Sequence, residues 1–178
     1  MTEPGSQSLP TTEELRALQK PLKQAYRDDP SQAVVTSTAR ATLADDGIAA
    51  TVDGAVGQVR AGLHPVAGGS GAEACSADIL LEALVACAGV TLRSVATALG
   101  VTLRSGTVTA TGTWDARGTL GVDRNTPVGI TDVRVDFDLD TDADEATTSK
   151  LIQLTERYCV IAQTLRTHPS VVMSVSQD

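Results

Sequence analysis

Three cysteines, Cys75, Cys87 and Cys159, are the residues of this chain best suited to covalent or redox chemistry. Two of them stand in the stretch "CSADILLEALVACAGVTLRSV", which is almost free of polar residues. A thiol acts as a nucleophile only as its thiolate, so a working cysteine needs a cation or N–H donors beside it. His64, in "GLHPVAGGSG", is a candidate donor lining a site, whereas His168, in "RTHPS", reads as a turn residue. Other chemistries find little support. The loop "AGGSGAEA" lacks the Gly-Lys-Ser/Thr ending of a phosphate-binding loop and the spacing of a dinucleotide fingerprint. Its Ser70 and Glu73 have the spacing of a capping box, a structural role. There is no Gly-x-Ser-x-Gly elbow for a hydrolase. No cysteine or histidine pair has Cys-x-x-Cys or His-x-x-x-His spacing, so no metal is expected.

The element that must position Cys87 is a long helix, expected over 77–99. Ser76 is its expected N-cap, Asp78 lies in its first turn and Gly100 suits the C′ position. At about 100° per residue, Asp78, Glu82 and Arg93 fall within about 60° and make its one charged stripe. Cys87 lies opposite Asp78, with Leu80, Leu84 and Thr91 as neighbours, and is expected to be deeply buried. A helix so apolar all round belongs at the centre of a domain or in an oligomer interface. Burial raises a thiol pKa, which counts against Cys87, while the helix start favours Cys75 as a rival.

Around this helix the pattern is strand-rich. "AVVTSTARATL" and "GIAATVDG" read as strands joined by the turn Ala44-Asp45-Asp46-Gly47, with "VGQVRAG" as a third. "TVTATGTW" and "DVRVDFDLD" alternate strictly, the mark of an antiparallel sheet with one wet face. "TDADEATTSKLIQLTERYCV" reads as a second helix, and "SVVMSVS" as a closing strand. The fold class is therefore α+β. Residues 1–32 read as an N-terminal extension: a flexible tail over 1–11, then a helix that Pro21 should break or kink, with Leu15, Leu18 and Leu22 on one face. Residues 33–178 form the main domain.

The net charge is -8, and aromatics are only 2% of residues. Nucleic acid needs basic patches and stacking platforms, so it is not an expected partner. The same charge argues against an anionic membrane surface. Glu82 and Arg93 mark the longest apolar run as no membrane span. The N-terminus has neither the basic nor the apolar region of a signal peptide, and three cysteines is an odd number for a disulfide framework. The expected location is cytoplasmic, where thiols stay reduced unless they serve redox or metal chemistry.

"SADILLEALVACAGVTLRSVATALGV" resembles the central helix of the OsmC/Ohr family, the osmotically inducible and organic hydroperoxide resistance proteins, and "ERYCVIAQTL" resembles its second signature. The resemblance spans roughly 33–178. It implies an intertwined homodimer in which curved sheets wrap two central helices and the sites lie between subunits. It also implies a cysteine peroxidase acting on organic hydroperoxides, with Cys87 as the peroxidatic thiol and Cys159 as the resolving thiol. A dithiol, such as a dihydrolipoyl protein, would be the reductant, and no cofactor is needed. Arg60 would activate the thiolate, with Arg40 second. Cys75 matches no family cysteine and reads as structural. Two positions depart from the pattern. Ala77 stands where the family has Glu, with Asp78 next to it. Val160 stands where proline usually follows the second cysteine, and without proline the helix could run on. The reading from another class is a family member with structural thiols that binds a small molecule.

Overall fold

The computed structural model describes residues 8–54 and 57–175. Helix α1 spans Thr12–Asp28 and opens on a complete capping box between Thr11 and Glu14. Of the break or kink expected at Pro21, the break does not occur: the helix is continuous through it. The carbonyl that loses its donor belongs to Ala17, on an exposed turn. Pairs such as Lys23 Nζ to Gln19 Oε1 at 3.0 Å bridge the turns on either side.

An antiparallel sheet follows, made of β1 (Arg40–Leu43), β2 (Ala49–Gly54) and β3 (Gly57–Gly62). β4 (Ala74–Cys75) joins it parallel to β3. The expected turn after β1 is present, closed by Ala44 N–H donating to the Ala49 carbonyl at 3.0 Å. The first strand is shorter than expected: 34–39 carry no strand and are fully exposed. The loop before β4 folds closely on itself, since a Cβ on Gly69 would collide with the Leu63 carbonyl oxygen. There Ser70 and Glu73 close a turn rather than a helix, through Ser70 Oγ to Glu73 Oε2 at 2.8 Å.

α2 (Ser76–Leu99) is the central helix, ended by Gly100 in the left-handed region at φ 71. Its N-cap is Cys75, not the expected Ser76, and the thiol makes no cap hydrogen bond. α2 is long and apolar enough to cross a membrane. It packs instead against the second sheet and two later helices. That sheet pairs β5 (Leu103–Thr113) with β6 (Asp132–Thr141), with the short helix α3 (Ala116–Thr119) between them. Its alternation is as read from the sequence. Val108, Ala110, Val135 and Phe137 turn towards α2, while Thr107, Thr109, Thr111 and Asp136 face out. α4 (Glu145–Tyr158) and α5 (Val160–Thr167) complete the fold.

The core is one line along α2, Leu84–Ala88–Leu92–Ala96, closed by Leu103, Leu151 and Cys159. Cys87 lies beside this line and is half-buried, less than expected, because α2 is covered on one side only. Ala83, Ala86 and Val90 stay exposed on the other side. The expected strand over 170–176 is absent through Val175, and Val171, Val172, Met173 and Val175 are all exposed. Among the described residues no strand edge pairs with them. Ser176, Val56 and the tail over 1–7 lie outside the described residues. The solvent-accessible surface is 13622 Å², against about 8,200 Å² for a compact monomer of this mass.

A candidate thiol site at the turn between two helices

Cys159 occupies the corner between α4 and α5. It is the C-cap of one and the N-cap of the other, at φ -71 and ψ 108. The helix does break there without proline, contrary to the run-on that Val160 suggested. Side chains fix the corner instead. Gln163 Nε2 donates to the Glu156 carbonyl at 2.8 Å, and Arg166 pairs with Glu156 at 2.8 Å. The Cys159 N–H still donates to the Thr155 carbonyl at 2.9 Å, so α4 ends satisfied.

The corner turns Cys159 into the core against Leu84 and Ala88, where it meets Cys87. Both thiols are free. Burial by itself pushes the Cys87 thiol up. That is outweighed by the Ile161 N–H, the Cys159 thiol, the Val160 N–H and the Thr91 hydroxyl, which together bring it below the ordinary cysteine value. Cys159 moves the other way. Burial raises it, the Ala162 N–H works against that, and a negative Cys87 beside it raises it further. The pair therefore ionises unequally: Cys87 loses its proton first and Cys159 keeps its own. The free N–H groups at the start of α5 serve as the positive end that a thiolate needs.

This is the arrangement that the two cysteines alone could not reveal. Thr91, one turn beyond Cys87, was visible as its helical neighbour. The donors of Val160 and Ile161 were not, since a backbone N–H leaves no mark on a sequence.

The other candidates lie elsewhere in this chain. Arg60 Nη2 donates to the Asp46 carbonyl at 2.7 Å and to its carboxylate at 3.0 Å, and Arg60 Nε stands 3.7 Å from Glu73. Arg40 lies opposite Asp53 on the exposed strand β1. Asp78 is in the first turn of α2. The Cys87 thiol owes its shift to none of Arg60, Arg40, His64 or Asp78. His64 caps a short 3-10 turn, its Nδ1 accepting from the Val66 N–H at 3.2 Å, with its ring edge-on to Trp114 at 5.5 Å. It lines a cavity of about 350 Å³ with Cys75, Ala77 and Leu80. A larger cavity of about 770 Å³ has Cys159, Thr155, Phe137, Leu165 and Arg166 in its wall. His168 lies at its rim and ends α5 in the left-handed region at φ 47, the turn role expected of it.

The structure is similar to an OsmC-like protein from Mycoplasma pneumoniae, with a TM-score of 0.62 at 19% identity, over 75% of this chain and 89% of that one. It is similar to an OsmC-like protein from Vibrio cholerae, with a TM-score of 0.61 at 16% identity, over 74% of this chain and 94% of that one. It also resembles an organic hydroperoxide resistance protein from Elizabethkingia anophelis, with a TM-score of 0.61 at 18% identity, over 76% and 91% of the two chains. At these identities the likeness speaks for the fold. No curated protein matched the sequence. The family model for OsmC-like protein matches residues 69–174, more than half of the chain, from the loop before β4 through α5. With the α+β fold and the long central helix, this makes the chain a member of the OsmC-like protein family.

Proposed function

We propose that this protein is a thiol peroxidase that reduces organic hydroperoxides, working as a cytoplasmic homodimer. The observation that carries this reading is the Cys87–Cys159 pair at the start of α5, with its unequal ionisation. One structural relative is named an organic hydroperoxide resistance protein, which accords with it.

The Cys87 thiolate attacks the outer oxygen of the hydroperoxide. The O–O bond breaks, the alkoxide takes a proton and leaves as the alcohol, and Cys87 becomes the sulfenic acid. Cys159, already packed against it, gives up its proton and attacks the Cys87 sulfur. The S–S bond forms and the hydroxide leaves as water. An external dithiol, such as a dihydrolipoyl protein, returns the two electrons and two protons. Leu84, Ile161 and Leu165 around the pair favour an apolar organic group. No metal or cofactor takes part in these steps. Arg60 is the cation assigned to the developing charge, with Arg40 second and with His64 and Asp78 as site-lining groups. To act, Arg60 must leave Asp46 and Glu73.

The test is one turnover. The reduced protein, given a stoichiometric amount of cumene hydroperoxide, should yield cumyl alcohol and a Cys87–Cys159 disulfide seen by peptide mass spectrometry. Cys87→Ser should abolish both. Thiols left unchanged by the peroxide would leave the small-molecule-binding reading in its place. Loss of activity in Cys75→Ser but not in Cys87→Ser would move the chemistry to Cys75.

A further inference from the structure

The feature that the thiol chemistry does not use is α1. It has no buried residue. It touches the body at its first turn, where Thr12 Oγ donates to the Thr97 carbonyl at 2.7 Å near the end of α2. Beyond that turn, Leu18, Leu22 and Tyr26 are 65%, 50% and 40% exposed, and with half-buried Leu15 they lie within an arc of about 80°. Four cations, Arg16, Lys20, Lys23 and Arg27, are also on this helix, in a chain whose net charge is -8. A helix of this length with a proline inside is marginal in water without tertiary packing. Its apolar stripe therefore calls for a partner that the described residues of this chain do not supply.

We infer that α1 is a clasp: its Leu15–Leu18–Leu22–Tyr26 stripe docks on a second copy of this chain and holds the dimer together. The area argues for that occupant. The chain exposes about 5,000 Å² more than a compact monomer of its mass, more than the roughly 1,000–2,500 Å² per chain that an obligate dimer interface buries. The exposed apolar residues also continue past the helix. Val34, Val35 and Leu43 follow it in the chain, and Val90 and Val171 to Val175 lie on other elements. A membrane surface would take up a helix but not these scattered positions. A second copy covers all of them reciprocally about one two-fold axis. With Glu13, Glu14 and Asp28 counted the helix is net +1, and it meets an acidic partner, since the rest of the chain carries the whole negative excess. α1 lies outside the matched family region, so the clasp would be a feature of this chain added to the shared fold.

The inference rests on the homodimer proposed above and not on the thiol chemistry. Sedimentation equilibrium of the full chain tests it with two variants. Leu18→Asp with Leu22→Asp places two charges in the stripe, and Ala17→Asp with Gln24→Asp places the same two charges on the opposite face. The stripe variant should dissociate at least tenfold more readily, while the control keeps the wild-type constant. If both variants associate as the wild type does, α1 is no clasp, although the homodimer stands. A wild type that is monomeric at every concentration overturns both. Should the stripe variant lose its fold by circular dichroism, hydrogen exchange of the wild type decides. The amides of 18–26 must be protected in concentrated protein and lose that protection on dilution through dissociation. Protection unchanged by dilution overturns the clasp, as does binding of the wild type to phosphatidylserine vesicles that the stripe variant loses with its association unaltered.

Discussion

At the scale of single residues, what sets Cys87 apart is the donors around it. Helical phase pointed to Cys87 as a buried position, and burial alone makes a poor nucleophile. The structure resolves this by exposing Cys87 partly and by packing Cys159 and the start of α5 against it, whose N–H groups and thiol lower its pKa. Cys159→Ala removes one of those donors. It should slow alkylation of Cys87 by iodoacetamide at neutral pH by roughly fivefold, the worth of one hydrogen bond of about 1 kcal/mol. The pH profile of that rate should move upward, because a thiol whose ionised form loses a partner holds its proton longer. Alkylation is followed on the Cys87 peptide by mass spectrometry, so that Cys75 does not contribute. An unchanged or faster rate would mean that Cys159 does not support the thiolate. Arg60 is tested in the same assay. If it reaches Cys87 in the working assembly, Arg60→Ala lowers the rate as well.

At the scale of elements, the legible parts were those whose pattern is decided within the element. The period of α2, its Gly100 cap and the alternation of β5 and β6 follow from which side chains must leave water, and all three are as read. The parts that were misread depend on something outside the segment. A strand needs an edge to pair with, and among the described residues 170–175 lie against none of the sheet edges. α1 survives Pro21 through its capping box and side-chain pairs, which a proline rule does not weigh. The α4–α5 break comes from Gln163 and Arg166, four and seven residues beyond Cys159, so a motif centred on a following proline does not see it. This gives a test at Val160, the exposed first residue of α5. Cys159 already has the extended backbone that a following proline demands. Val160→Pro keeps that backbone but deletes one donor to Cys87. The lost hydrogen bond should outweigh the gain from restricting the unfolded chain, so the urea midpoint should fall and Cys87 alkylation should slow with it. A higher midpoint with unchanged alkylation would show that the Val160 N–H does not support the thiolate.

At the scale of the whole molecule, the chain reads as half of something. Its buried core is little more than one face of α2, while the opposite face presents Ala83, Ala86 and Val90 to solvent. β1 is exposed along its whole length, and the C-terminal run of valines has strand character without a sheet. A small core with so much uncovered apolar surface cannot offset the conformational entropy of ordering the chain. If the proposed homodimer supplies the missing cover, stability comes largely from association and depends on concentration. Folded dimer in equilibrium with unfolded monomer obeys mass action: a hundredfold rise in protein should raise the thermal midpoint by about 3–5 °C for a chain of this length. Differential scanning calorimetry from micromolar to the hundred-micromolar range reads this directly. A monomer that folds by itself would give a midpoint independent of concentration. The exposed faces of α2 and of β1 would then need a different cover. The same series in the stripe variant of α1 should start from a lower midpoint and show the dependence at higher concentrations, because the clasp contributes to the association that holds the fold.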